Sequence, residues 1–213
     1  EDTLSLHDAL PIYSLSGNGV DTLHGQARFT NAHTIAIDGR SYDAAHFLIA
    51  AGARPRPLDF PGHEHLVDST AFMDLPALPR RILFVGGGFI SFEFAHIAAR
   101  AGSTPVILDR GPRPLKAFDP DLVELLINRG AEAGIELWRS TTITSIEKSG
   151  GGYQVSLARS GRPEDVEFDL IVHGAGRIPE LSGLDLDAAG VEWDEQGVRV
   201  AAHLQSTSNA AVY

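Results

Sequence analysis

The sequence ILFVGGGFISFEFA, residues 82–95, places three consecutive glycines between an apolar run and a helical pattern. The pattern predicts a strand, a helix and a second strand, at residues 82–85, about 89–101 and 105–108. A further helix at about residues 120–133 and the apolar run IELW repeat the same order. Alternation of strands and helices predicts a parallel α/β domain.

The three glycines match a G-x-G-x-x-G fingerprint in the context that gives this motif meaning, between a strand and a helix. Gly86 permits the tight turn, and Gly88 lets the backbone approach a pyrophosphate. The helix that opens at Phe89 and Ile90 offers free N–H groups and a positive dipole end to this anion. Ser91 takes the third glycine position, and we expect its hydroxyl to loosen the strand–helix contact slightly. The loop predicts dinucleotide binding, with a purely structural glycine turn as the alternative.

The end of the second strand carries charges of both signs in LDRGPRPLK. Asp109 is suited to accept hydrogen bonds from a ribose 2'-hydroxyl, which favours NAD. Arg110, Arg113 and Lys116 form a dense positive cluster that suits a 2'-phosphate, which favours NADP. We predict NADPH as the cofactor, and a solvated basic loop is the alternative.

The sequence on either side of this region changes character. Strands are predicted at residues 34–37 and 47–50. The proline-rich residues 55–61 predict a linker or a domain crossover, with a domain boundary there. Residues 142–176 contain three strand-like runs separated by glycine-rich turns. This rhythm predicts an antiparallel meander attached to the α/β domain.

Composition excludes several classes of function. The net charge of −11 would repel a phosphate backbone, so no nucleic-acid partner is expected. The absence of cysteine excludes a disulfide, a thiolate metal site and a cysteine nucleophile within this sequence. His63 and His65 lack a third ligand at useful spacing, so no metal site is predicted. No apolar run approaches the roughly 20 residues of a membrane helix, and we expect a cytoplasmic protein.

The first residues are a separate case. TLSLHDALPI, residues 3–12, is the translation of a common sequencing-library adapter. We therefore expect residues 1–12 to be an artefact and exclude them from fold reasoning. The reading frame is then expected to begin inside a longer gene and to stop short of its natural end.

Four stretches, in order, resemble the pyridine nucleotide-disulfide oxidoreductases. FLIAAGARPRP resembles the strand and A-T-G turn of the first FAD-binding segment, with Ala51 and Gly52 at the turn. VGGGFISFEFA resembles the nucleotide loop, with Phe89 at the usual tyrosine and Glu93 at the acidic position near the flavin. GAGRIPE resembles the A-x-G-R-x-P motif, with matches assigned to Ala175, Gly176, Arg177 and Pro179, and TSNAAVY resembles the approach to the second FAD motif.

The resemblance implies an α/β fold in which a Rossmann-like NAD(P)-binding domain with an antiparallel β-meander is flanked by partial FAD-binding segments. It assigns residues 13–60 to the FAD-binding domain, residues 61–184 to the NAD(P)-binding domain and residues 185–213 to a return to the FAD-binding or central domain. Gly176 and Arg177 are implied as cofactor contacts and Glu93 as a catalytic residue.

The implied activity is that of an FAD-dependent oxidoreductase, which passes a hydride from NAD(P)H to FAD and on to a disulfide, thiol-linked or small-molecule acceptor. The parent protein is expected to be a homodimer formed through a C-terminal domain, and the 213-residue piece is expected to be inactive alone. Two alternatives remain open. One is a flavin-linked oxidase or ferredoxin-type reductase without a redox disulfide, and the other is a non-enzymatic NAD(P)-binding module that senses redox state.

Overall fold

The computed structural model describes residues 14–213, which form two compact units. The central unit is Ala53–Ile178, and the flanking unit combines residues 14–52 with Pro179–Tyr213. The predicted artefact at residues 1–12 lies outside the described residues.

The unit boundaries differ from those predicted at residues 60 and 184. Residues 53–60 belong to the central unit because the Arg56 N–H donates to Gly176 O at 3.0 Å and Phe60 packs against a buried cluster of that unit. Residues after Ile178 belong to the flanking unit because the Phe29 N–H donates to Leu184 O at 2.8 Å. Of the two predicted readings, the proline-rich stretch is therefore a domain crossover, which packs as part of the central unit directly after the unit boundary.

The described residues contain fourteen strands, three α-helices and two 3-10 turns, besides one helical turn at residues 14–17. The strands are β1 Ala27–Asn31, β2 Thr34–Ile37, β3 Arg40–Asp43, β4 Ala53–Pro55, β5 Arg81–Val85, β6 Thr104–Leu108, β7 Glu136–Trp138, β8 Thr141–Ser149, β9 Gly152–Arg159, β10 Arg162–Phe168, β11 Leu170–His173, β12 Arg177–Pro179, β13 Trp193–Asp194 and β14 Gly197–Val198. The helices are α1 Ser69–Met73, α2 Phe89–Arg100 and α3 Pro120–Glu132, and the 3-10 turns are His63–His65 and Leu186–Ala189.

A four-stranded parallel sheet in the order β11-β5-β6-β7 forms the centre of the central unit. Strand β5 is apolar after Arg81, and Ile82, Leu83 and Phe84 are fully buried, as in a sheet covered on both faces. Helix α3 begins where the Asp119 carboxylate accepts the N–H groups of Asp121 and Leu122. The predicted parallel α/β arrangement is confirmed.

The meander is a three-stranded antiparallel sheet in the order β10-β9-β8. Val155 and Leu157 are buried, and the positions beside them along β9 are exposed or partly exposed. This alternation is the pattern of a sheet with one buried face. The run after it, Leu170–His173, leaves the meander and pairs in parallel with β5. It does so because Ile171 and Val172 are consecutive and both fully buried, which suits a strand covered on both faces.

The flanking unit contains the antiparallel sheet β1-β2-β3 and a small core built on Phe29, Leu186 and Val212. The predicted strand at residues 47–50 is wrong as a full strand. Its pairing is a single parallel bridge between Phe47 and Val212, extended by the Ile49 N–H donating to Tyr213 O at 2.7 Å. Within residues 14–213, no helix is long and apolar enough to cross a membrane.

Candidate functional site

A cleft of about 970 Å³ opens in the central unit, where β5, β6 and β11 end. Open α/β sheets bind ligands beyond the carboxyl ends of their strands, so the cleft has the expected position. Six segments of the central unit form its wall, at residues 56–60, 85–90, 108–110, 115–118, 141–143 and 174–177.

Gly86 makes the turn out of β5 in a conformation that favours glycine, with φ of 108°. Its N–H donates to Leu108 O at 2.7 Å, which ties the turn to the end of β6. A Cβ at this position would lie 2.5 Å from Ala175 Cα and from Gly174 O. Both the dihedral angle and the close approach of backbone therefore require glycine here.

Gly88 is the N-cap of α2, and no side chain caps the helix. The N–H groups of the first turn, including those of Phe89 and Ile90, have no acceptor within the helix. This turn carries no acidic residue, so it presents hydrogen-bond donors and a positive dipole end to the cleft. The arrangement suits a phosphate anion.

Asp109 lies at the end of β6 and is 9% exposed. Its Oδ1 accepts the Gly111 N–H at 3.0 Å, which closes the turn that follows the strand. The carboxylate also packs against Gly87, where a Cβ would lie 2.8 Å from Asp109 Cγ. One carboxylate oxygen therefore holds the loop.

The basic loop after Asp109 is fixed to the glycine loop. The Leu115 N–H donates to Gly87 O at 2.8 Å, and the Leu115 side chain is buried in the core. Arg110 and Lys116 line the cleft. Arg113 points elsewhere, because its Nη2 donates to the carbonyls of Lys116 and Phe118 at 3.2 and 3.0 Å.

Ser91 is fully buried and faces Gly174 across the start of α2. A Cβ at Gly174 would overlap Ser91 Oγ and lie 3.2 Å from Ser91 Cβ. The serine is thus accommodated by a glycine on the opposite segment. Its Oγ has no hydrogen-bond partner among residues 14–213. Counting back from Arg177, Gly174 holds the first position of A-x-G-R-x-P, and Ala175 is the variable residue.

The other predicted site residues occupy different places. Phe89 is 56% exposed and lines the cleft with Ile90, whereas Glu93 is exposed on α2 outside the cleft wall. Gly176 and Arg177 line the cleft, and Arg177 Nη2 also donates to Ala53 O.

Two of the predicted cofactor residues and both histidines of the PGHEHL stretch lie away from this wall. Ala51 lines a pocket of about 150 Å³ in the flanking unit, and the Gly52 carbonyl accepts the Glu180 N–H at 3.0 Å. The rings of His63 and His65 pack against Phe60 and Tyr153, respectively. No cluster of metal-ligating side chains occurs in the described part of the chain.

Arg56 is a cleft residue that the sequence analysis missed. It lies in the proline-rich stretch that predicts a linker or a domain crossover, and no local pattern distinguishes it from Arg54. The signal that identifies it is structural, because its backbone is bonded to the turn after β11.

The sequence profile of the pyridine nucleotide-disulphide oxidoreductases matches residues 9–213. The chain belongs to this family. Similar curated members include a dihydrolipoyl dehydrogenase from Thermus scotoductus, 36% identical over 93% of this chain and 44% of its own. A glutathione reductase from Pisum sativum is 33% identical over 86% of this chain and 33% of its own.

Family membership agrees with the fold. An HOCl-induced flavoprotein disulfide reductase, RclA from Escherichia coli, superposes with a TM-score of 0.87 at 24% identity, covering 97% of this chain and 48% of that one. The predicted fold class is therefore confirmed. The chain spans less than half the length of these three relatives.

The two cofactors implied by the family differ in how well they fit the described residues. The glycine loop, the uncapped helix and the cleft fit the pyrophosphate of a nicotinamide dinucleotide. In the flanking unit, the helical segments among residues 14–52 and 179–213 are short turns, and none follows a glycine-rich strand end. These residues do not by themselves fit the pyrophosphate of FAD.

Proposed function

We propose that the central unit binds NAD(P)H and that the whole protein is an FAD-dependent oxidoreductase of the disulfide-reducing kind. The observation that carries the proposal is the Gly86–Gly88 turn, closed on one side by Gly174 and on the other by Asp109. When bound, the reduced nicotinamide supplies a hydride, which in the whole protein passes to FAD and on to a disulfide or related acceptor.

This chain's own residues bind and orient the dinucleotide. The N–H groups at the start of α2 hold the pyrophosphate, because they lack acceptors within the helix. The Phe89 ring, which is largely exposed over the cleft, covers the nicotinamide and excludes water from one face. Gly176 keeps the opposite wall open, since a Cβ there would meet nothing closer than 3.8 Å.

The proposal extends to the rest of the protein. The flanking unit corresponds to parts of the FAD-binding domain, and the whole protein is a homodimer that reduces a disulfide or thiol-linked substrate. A cytoplasmic location fits a reaction supplied by NAD(P)H. These statements rest on the family, whose members include glutathione and mercuric reductases.

NADPH is the proposed cofactor. Arg110 and Lys116 both line the cleft, and the Leu115 hydrogen bond holds their loop against Gly87. The Asp109 carboxylate by itself favours NADH, but one of its oxygens already accepts the Gly111 N–H. The two positive charges of Arg110 and Lys116 therefore favour a 2'-phosphate more strongly than the Asp109 carboxylate, which is already hydrogen-bonded through one oxygen, disfavours it.

The test is calorimetric titration of NADPH and NADH into Arg110→Ala/Lys116→Ala. We expect NADPH binding to lose roughly 1–3 kcal/mol for each contact removed, with NADH binding unchanged. Arg100→Ala/Arg162→Ala is the matched control, because it removes the same charge from exposed positions outside the cleft wall. Unchanged NADPH affinity in the first variant would show that NADPH is the wrong cofactor.

A further inference from the structure

Arg56 brings a positive charge to the cleft from the crossover segment, residues 53–60. This segment forms the wall that faces the glycine loop from outside the βαβ unit. Its contribution is therefore independent of the fingerprint that identifies the nucleotide site.

The backbone at Arg56 is held at two points, by the last residue of β11 and by the turn that follows this strand. The Arg56 N–H donates to Gly176 O at 3.0 Å, and His173 Nε2–H donates to Arg56 O at 2.9 Å. The Arg177 guanidinium adds a third tie to the segment through Ala53 O. Because three hydrogen bonds fix the segment, the base of the Arg56 side chain has a defined position in the cleft wall.

The Arg56 side chain extends past Gly176. Its Nε is the nearest atom to a Cβ built on Gly176, at 3.8 Å, and Gly176 has φ of 104°. The space beside Gly176 is therefore shared by the arginine side chain and the open cleft. A guanidinium carries five N–H donors in a planar fork, so an arginine that already has another partner keeps donors that match phosphate oxygens.

The sheet order indicates which half of the dinucleotide Arg56 faces. Strand β6 lies on one side of β5 and β11 on the other. With the pyrophosphate on the loop after β5 and the adenosine ribose beside Asp109 after β6, the remaining half of the ligand extends toward the end of β11. Arg56 and Gly176 lie at that end.

We infer that Arg56 binds the nicotinamide-side phosphate of the dinucleotide and that Arg177 is a positioning residue that holds the segment bearing Arg56. The inference rests on the proposed binding of NADPH. It assigns a cofactor contact to Arg56, in the crossover segment. Arg177, which the sequence analysis assigns as a cofactor contact, becomes a positioning residue instead.

Three ligands of increasing length test the inference by calorimetry: 2',5'-ADP, 2'-phospho-ADP-ribose and NADPH. Arg56→Ala should weaken 2'-phospho-ADP-ribose and NADPH about tenfold, which is the loss of one exposed charge-assisted hydrogen bond. Binding of 2',5'-ADP should stay the same, because it lacks the second phosphate of the bridge. Arg56→Lys keeps the charge and should lose less than Arg56→Ala.

Arg54→Ala is the matched control, since Arg54 lies in the same segment and outside the cleft wall. It should leave all three affinities unchanged. Equal weakening of all three ligands by Arg56→Ala would indicate a general charge effect and overturn the inference. Weakening of NADPH alone would place the contact on the nicotinamide and also overturn it, as would no change. If the unaltered chain binds none of the ligands, the proposed function itself fails.

A double-mutant cycle tests the positioning role of Arg177. Arg177→Ala should weaken NADPH binding in the unaltered chain and add little in the Arg56→Ala background, because both changes remove the same contact. Additive losses would show that Arg177 contacts the cofactor independently. Thermal unfolding of each variant, followed by circular dichroism, separates these losses from unfolding.

Discussion

Gly174→Ala tests the contact between the start of α2 and the segment after β11. The new methyl group would overlap Ser91 Oγ and approach Ser91 Cβ and Val85 O to 3.2 and 3.3 Å. The hydroxyl can rotate away, but the contacts with Ser91 Cβ and Val85 O are also tight, so the surrounding atoms must move by a few tenths of an ångström. Insertion of a methyl group into a packed site of this kind costs about 1–3 kcal/mol.

That cost corresponds to a fall of about 2–12 °C in the midpoint of thermal unfolding for a chain of this size. The assay is thermal unfolding followed by circular dichroism on the full 213-residue chain. Gly130→Ala is the control, because its Cβ would meet its nearest neighbour, Ile135 Cδ1, at an ordinary 3.7 Å. As a helical glycine it should gain up to about 1 kcal/mol on replacement by alanine.

Ser91→Ala supplies the second arm of the experiment. Alone it removes a buried hydroxyl that has no partner in the described residues, so it should be neutral or slightly stabilising. Combined with Gly174→Ala it should recover part of the lost stability, giving a measurable coupling between the two sites. A double variant no more stable than Gly174→Ala would refute the reasoning, as would an unchanged unfolding midpoint for Gly174→Ala alone.

Two further predictions concern the meander and α2. Ser160 has φ of 50° in the two-residue turn between β9 and β10, so Ser160→Gly should stabilise the chain by about 0.5–1 kcal/mol in urea unfolding, whereas Ser149→Gly, in β8, should not. A lower urea midpoint for Ser160→Gly would contradict this. Glu93→Gln should leave NADPH affinity unchanged in calorimetry, because Glu93 lies outside the cleft wall, and a loss of tenfold or more would place it at the ligand.

The parts of the fold that the sequence predicted are those set by local pattern. The strand before Gly86 and the helix after Gly88 could be predicted because their signals lie close together in the sequence. These signals are the glycines, the spacing of apolar residues and the residues at the helix ends. The return of Leu170–His173 to the parallel sheet was harder to predict. Its pairing partner, β5, lies far away in the sequence, and short apolar runs do not specify which sheet they join.

In the candidate site, too, the sequence predicted the residues that follow from local pattern and missed the contacts that form only on folding. Arg110, Arg113 and Lys116 are equivalent in the sequence, but folding of the loop turns Arg113 toward two carbonyls and leaves the other two at the cleft. The fit between Ser91 and Gly174 depends on two segments that meet only in the folded chain. Arg56 was missed for the same reason, because prolines indicate a break in regular structure and not the surface against which the segment packs.

The central claim is that the Gly86–Gly88 turn and the start of α2 hold a nicotinamide dinucleotide. The most direct measurement is a backbone amide NMR spectrum of the isotope-labelled chain during titration with NADPH. The largest shifts should occur at the amides of Gly88, Phe89 and Ile90, with a second group at the loop that bears Arg110 and Lys116. Saturable binding with shifts confined to other regions, or no shifts at all, would contradict the claim.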